Sequence, residues 1–516
     1  FQIYTSQDQT MVAQRRPLRR RRRPHLSPPN CTFLTIIRLL TLQHLTYHPL
    51  SAMVMNNAMS NGESSVSSSP TTCPLPPHSG YHGGTALPGR PFFEGWYLRV
   101  VPRILMPADD GPNSGADKEW EGPMAFIHHV FDPHLPLSKR RGVGTQALTP
   151  LGFVYKEGTY DPATFFTDSH NLFLRNEFCA DGEFFELTES RARGRTTSSS
   201  DGDVDDHRRM TTTVTTVDYD FSIESLVGWG GGYGDRQYSV AGWLSALPLF
   251  DPHYQVLISR GVASGYVHVS KKSIAAGSST SSGEKAQGGD DDEGKEEYTV
   301  TERRFDFNNA AVYLEKNWGG TFPTRWWWMQ ANTFSSVPSL SVTSTGAIRA
   351  LPITGQQEEV ALVGIHWDGQ FLPFPFVSWS VRWGSWVIRG TYKEYVVTLL
   401  GRCDKEGESA VPVRCPTPDG MQDAALETYS GELRLILKKR VGGRGGMLET
   451  LVDATTNNAC LEVGGLSWFE KGGKEVWEGR SAMAEPLKSI VMNVEAERAG
   501  ADALQLLKKF VEIPGL

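Results

Sequence analysis

Short runs rich in Val, Ile, Thr, Tyr and Trp recur along most of this chain between Gly, Pro, Asn and Asp turn signals, and they constrain its fold more than any other feature. The runs at 125–131, 218–223, 254–259, 326–334, 361–367, 386–392, 395–400 and 432–437 all have strand length. That density predicts an all-β protein of barrels or sandwiches with few long helices. One segment, 485–512, reads as helical: Leu487, Ile490, Val491 and Val494, then Leu504, Leu507 and Phe510, recur at helix-like spacings around Gly500. It is expected to pack across a barrel.

At 516 residues the chain exceeds a usual single domain, which favours two compact units plus tails. Residues 1–75 lack sustained periodicity and read as leader and linker, with the folded body starting near Pro77. Two low-complexity stretches, 191–213 and 275–297, read as solvated, mobile surface insertions between strands.

The net charge of -7 hides an asymmetry. Residues 1–75 hold eight Arg against Asp8 and Glu63, leaving 43 basic and 56 acidic residues, or -13, on the remainder. The body is therefore a poor electrostatic match for nucleic acid. The leader is basic from Arg15 to Arg23, apolar from Phe33 to Leu45, and then small and Ser-rich, the order of a signal sequence followed by an organelle transit region. The chain opens at Phe1, and Met11 and Met53 are both candidate starts. No later apolar run has the ~18 residues of a transmembrane helix, so membrane attachment is expected to be peripheral. Six cysteines form no CxxC pair, which fits scattered reduced thiols, and His128-His129 with His134 lacks a helical ligand spacing. No metal is expected.

The densest local signature is 315–332, which contains Trp318, Trp326, Trp327 and Trp328. On a strand after Pro323, Trp326, Trp328, Gln330 and Asn332 share one face and Trp327, Met329 and Ala331 the other. The first set would make an aromatic wall with polar groups at one end, suited to a greasy ligand with a polar head or to a carbocation. The competing reading is a tryptophan-rich barrel core.

Several blocks together resemble the tocopherol cyclase family. They are Pro77-His78-Ser79-Gly80-Tyr81-His82, Phe92-Phe93-Glu94-Gly95-Trp96-Tyr97, Gly242-Trp243 through Phe250-Asp251-Pro252-His253-Tyr254-Gln255, the 315–332 run, and Gly431-Glu432-Leu433. The chain departs from the family at the two low-complexity stretches and around 382–390. The resemblance implies two lipocalin-like antiparallel β-barrels, assigned to 76–250 and 251–516 with the terminal helix in the second. It implies a plastid enzyme that closes the chromanol ring of a prenylated hydroquinol without a cofactor, and the leader with the absence of a spanning helix predicts import into a plastid and attachment at a lipid-body (plastoglobule) or thylakoid-type membrane surface. A carrier of prenyl quinones is the alternative from another class, and water addition to a carotenoid alkene is a third reading.

Such a cyclisation needs an acid, a shelter for a tertiary cation and exclusion of water. A carboxyl enclosed in apolar surroundings stays protonated, because burial disfavours its charge. The candidate acids are Asp251 and Glu94, ranked first, then Glu315 and Asp368. Each has a structural alternative, such as an ion pair with Arg99, Lys316 or Arg325. His253 shares a strand face with Asp251, or caps an ordinary Asp-Pro turn. Trp96, Trp318, Trp326 and Trp328 are candidates to line the prenyl site, and Asn317, Gln330, Asn332 and His366 to bind the hydroquinol oxygens. About half of these polar groups are expected to be core groups satisfied by backbone.

Overall fold

The computed structural model describes residues 79–83, 91–103, 122–135, 141–178, 182–204, 210–232, 240, 252–275, 298–350, 357–404, 410–442 and 446–481. All belong to one compact unit, Thr71–Leu504; a second, Phe1–Pro70 with Gln505–Leu516, lies outside the described residues. The predicted helix at 485–512 also lies outside them.

The chain is all-β, as its strand-like runs predict. Strands β1–β4 are Phe93–Val101, Met124–Phe131, Gly142–Thr149 and Gly152–Thr159; β5–β7 are Phe165–Thr167, Phe173–Glu177 and Phe184–Thr188. Next come β8 (Arg191–Val204), β9 (Met210–Gly228), β10 (Gly231–Gly232), β11 (His253–Ala275) and β12 (Tyr298–Gly319). These twelve form one antiparallel sheet in the order β4-β3-β2-β1-β12-β11-β9-β8-β7-β6-β5, with β10 on β9.

A second antiparallel sheet holds β13 (Arg325–Ala331), β14 (Ser341–Ala350), β15 (Gln357–Trp367), β16 (Gln370–Phe374), β17 (Phe376–Arg382) and β18 (Ser385–Tyr392). It continues with β19 (Tyr395–Arg402), β20 (Val411–Thr417), β21 (Gly420–Arg440), β22 (Leu448–Gly464) and β23 (Trp477–Arg480). Its order is β16-β15-β14-β13-β22-β21-β19-β18-β17-β23, with β20 on β21. Helix α1, Leu466–Phe469, is one turn long.

Two differences from the sequence reading stand out. The chain passes from the first sheet to the second between Gly319 and Arg325, not at 250/251, because β11 and β12 pair with β9 and β1 and so complete the first sheet. The stretch 191–213, expected to be a mobile insertion, instead supplies β8 and the start of β9. Its hydroxylated composition disguises a strand: β-branched Thr suits the pleat, Thr197 and Thr216 pair their hydroxyls across strands at 3.1 Å, and Arg191 pairs with Asp220.

Side-chain alternation divides the apolar residues into three clusters. One face of the first sheet encloses a core containing Trp96, Leu98, Phe126, Leu314 and Trp318. One face of the second encloses Trp327, Met329, Trp379, Trp386 and Leu461. A third cluster lies between the sheets and joins Tyr97, Val256 and Tyr313 of the first to Trp326, Trp328, Tyr429 and Cys460 of the second.

Candidate active site between the two sheets

Strand β13 distributes the tryptophans as alternation requires. Trp327 lies in the second core, while Trp326 and Trp328 face the first sheet. Gly464, opposite Trp326 in the register, has no side chain to displace its indole.

Trp328 leads to Glu315, a buried carboxyl on β12. Its Oε2 accepts hydrogen bonds from Tyr254 Oη at 2.5 Å, Tyr313 Oη and Trp328 Nε1 at 3.2 Å. Burial pushes its pKa up to about 7; the hydrogen bonds from both tyrosines oppose this, and the neighbouring Glu427 reinforces it. Tyr254 and Tyr313 titrate well above 10, chiefly through burial, and remain phenols. Glu315 is thus a carboxyl that both holds and releases a proton near neutrality, against an aromatic wall.

Two further buried carboxyls share this interface. Glu427 accepts hydrogen bonds from Tyr97 Oη at 2.5 Å, Tyr429 Oη at 3.0 Å and Cys460 Sγ. Glu462 accepts one from Trp326 Nε1. Both pKa values are raised, burial being the largest cause in each. Arg99 reaches across from the first sheet to Gln330 Oε1 at 2.9 Å and to the carbonyls of Tyr429 and Asn458. The sequence reading did not identify Glu427, Glu462, Tyr97 or Cys460. A usable signal was present: Tyr313-x-Glu315 and Glu427-x-Tyr429 each place an acid and a phenol on one strand face.

Glu94 departs from the expectation of a protonated acid. It is buried, but Lys316 Nζ lies 3.1 Å from its Oε1, and His82 gives it a backbone N–H at 2.7 Å and Nδ1 at 3.1 Å. Burial alone would raise its pKa; Lys316 and His82 together outweigh that and lower it. Glu94 is therefore an ionised partner, the structural alternative weighed from sequence. Trp96 and Trp318 lie with it on the inner face of the first sheet. The Trp318 ring stacks on His82 at 3.9 Å and on His253 at 4.9 Å. Burial lowers the pKa of His253 to about 4, which keeps it neutral in this stack.

The remaining polar candidates separate. Gln330 binds Arg99, and Asn332 Nδ2 donates to the Val312 carbonyl at 2.9 Å, so both join the sheets. Asn317 lies two residues from Glu315 on the same strand face, opposite Tyr254. His366 Nδ1 is 3.0 Å from Ser259 Oγ, and its ring packs on Phe371 at 4.7 Å. Asp368 is exposed in the Asp368-Gly369 turn between β15 and β16, with φ values of 49° and 69°. That two-residue turn requires positive φ, which explains its acid and removes Asp368 from the interface. Asp251 lies outside the described residues. Among the described residues, no group of three or more His, Cys, Asp or Glu is placed to hold a metal ion.

Fold and site define an all-β protein whose two antiparallel sheets enclose buried carboxyls and tryptophans between them. The chain belongs to the tocopherol cyclase-like family, whose model matches residues 90–465. It is 30% identical over 469 residues to the "Probable tocopherol cyclase, chloroplastic" of Oryza sativa subsp. japonica, covering 85% of this chain and 87% of that protein. It is 31% identical over 456 residues to the "Tocopherol cyclase, chloroplastic" of Zea mays, covering 80% of this chain and 82% of the relative. Among solved structures, CghA aligns with a TM-score of 0.34 at 11% identity, over 74% of this chain and 93% of that one. A putative AttH from Nitrosomonas europaea aligns with a TM-score of 0.37 at 11% identity, over 77% and 98%.

Proposed function

We propose that the protein closes the chromanol ring of a tocopherol from a phytylated methyl-benzoquinol, with Glu315 as the acid. The observation that carries this reading is the Glu315 carboxyl, buried against Trp328 with a proton affinity near neutrality. Family membership and the two cyclase relatives support the same reaction class.

In this mechanism Glu315 gives its proton to the less substituted carbon of the nearest prenyl alkene, leaving a tertiary cation and a carboxylate. The ring faces of Trp326 and Trp328 shelter the cation. The substrate's phenolic oxygen bonds to the cationic carbon, and its proton returns to the Glu315 carboxylate. Bonds and protons balance, so the reaction is an isomerisation without a redox step. Tyr254 and Tyr313 donate to Oε2, stabilising the carboxylate as it forms. Asn317, two residues from Glu315 on the same strand face, would meet a hydroquinol oxygen. The relatives' names support a plastid location for the same activity.

The test is anaerobic incubation of the purified protein with a reduced phytyl hydroquinol, followed by lipid analysis. A chromanol formed without added cofactor is expected, and Glu315→Gln should nearly abolish it while substrate binding persists. Binding without turnover in the unmodified protein would identify a carrier instead. Asp251→Asn, the alternative acid from sequence, serves as the comparison: loss there with Glu315→Gln fully active would move the acid to Asp251.

A further inference from the structure

The body of the chain carries an excess of acid, yet one end of the second sheet is basic and apolar together. The hairpin between β21 and β22 is closed by Val441 N donating to the Met447 carbonyl at 2.9 Å. It exposes Met447 at 85%, Val441 at 50% and Leu448 at 43%. The neighbouring β18–β19 hairpin turns tightly at Lys393-Glu394 and lies alongside, because Tyr395 pairs with Lys439 and Arg440 N donates to the Glu394 carbonyl at 2.8 Å. Four cations, Lys393, Lys438, Lys439 and Arg440, gather here against two acids, Glu394 and Glu449. Lys393 Nζ lies 5.0 Å from the Tyr392 ring and Lys439 Nζ 5.7 Å from the Tyr395 ring.

Exposed aliphatic tips serve no purpose in a core, and a patch of them is unfavourable in water. The ammonium groups of Lys393 and Lys439 sit against tyrosine rings beside these apolar tips, and such amphipathic pairs suit an interface between apolar and polar media. Charge selects the partner, since clustered cations are drawn to the negative surface of a bilayer that contains anionic lipids.

We infer that the described residues at the ends of the β18–β19 and β21–β22 hairpins, 393–395, 439–441 and 447–448, form a docking surface for an anionic lipid bilayer, with Met447, Val441 and Leu448 entering the headgroup region and Lys393, Lys439 and Arg440 meeting lipid phosphates. The surface is far from the carboxyl site along β21: the stretch from Glu427 to Arg440 spans about 40 Å of strand. It does not depend on the assignment of Glu315, and its loss should leave turnover of detergent-dispersed substrate unchanged.

The experiment is co-sedimentation of the full chain with vesicles of phosphatidylcholine alone or mixed with phosphatidylglycerol. The mixed vesicles should bind the protein more tightly, and added salt should weaken that binding. Lys439→Glu with Arg440→Glu should reduce binding by about tenfold or more, given the attraction of each basic residue to such a surface. Val441→Ser with Met447→Ser should also reduce it. A Met447→Trp variant reports insertion directly, against the same variant without vesicles, through a blue shift of its emission on mixed vesicles. Unchanged binding in both double variants, or no shift in Met447→Trp emission, would overturn the inference. So would a dimer in solution that Val441→Ser with Met447→Ser dissociates while vesicle binding is unaffected, since the patch would then join two copies of the chain.

Discussion

Trp328 donates its indole N–H to Glu315 Oε2 at 3.2 Å, from β13 of the second sheet to β12 of the first. The same oxygen accepts both Tyr254 and Tyr313, so three donors fix the carboxyl from two sheets. A proton-transfer group held by packing on both sides keeps its orientation through a reaction.

Turnover should follow the protonated fraction of Glu315. With a pKa near 7, the rate is expected to fall as pH rises through that value, and a pH–rate profile of the purified protein measures it. A profile flat from pH 6 to pH 9 would remove Glu315 from the acid role.

The same shift has a consequence for stability. Folding raises the pKa of Glu315 from 4.5 to about 7, so the native state binds the extra proton. Its contribution is fully present below the unfolded value and is lost as pH rises through 7, a change on the order of 3 kcal/mol. Urea unfolding at pH 5 and pH 8 should show a smaller loss at pH 8 for Glu315→Gln than for the unmodified chain.

Adjacent tryptophans should fail differently. Trp328→Leu removes the donor to Glu315 and the ring facing it, so single-turnover rate should fall more than substrate affinity. Trp327→Leu opens space in the second core and should lower stability by about 1–3 kcal/mol with the per-molecule rate kept. Equal stability losses with unchanged rates in both would make the tryptophan run packing alone.

Glu94→Gln should act on folding. It removes the carboxylate facing buried Lys316, a change that typically costs about 3–5 kcal/mol. Adding Lys316→Met should recover part of that stability, as judged by urea midpoint. A Glu94→Gln protein of normal stability but no turnover would restore Glu94 as a catalytic candidate.

Glu427→Gln tests whether the second carboxyl tunes the first. Glu427 raises the proton affinity of Glu315, so its neutral replacement should move the alkaline limb of the pH–rate profile toward lower pH. An unmoved limb would leave Glu427 as a structural acceptor for Tyr97, Tyr429 and Cys460.

Read alone, the chain reveals its all-β class, the alternation within its apolar strands and its family. The split of Trp327 from Trp326 and Trp328 was legible because period two is a property of a single strand. Composition misled where a Ser/Thr-rich strand looked like a linker, as in β8, and where Asp368 looked like an acid in an aromatic block but supplies a turn. Tertiary structure alone decided which buried acid stays protonated. Glu94 and Glu315 are both enclosed, and both lie beside tryptophans in sequence. Alternation puts Glu94 and Lys316 on one face of the first sheet and Glu315 on the other, where two phenols and the Trp328 indole N–H surround it in place of a cation. Proton affinity depends on burial and on charges brought together from distant strands, and those neighbours are set only when the sheets curl and meet.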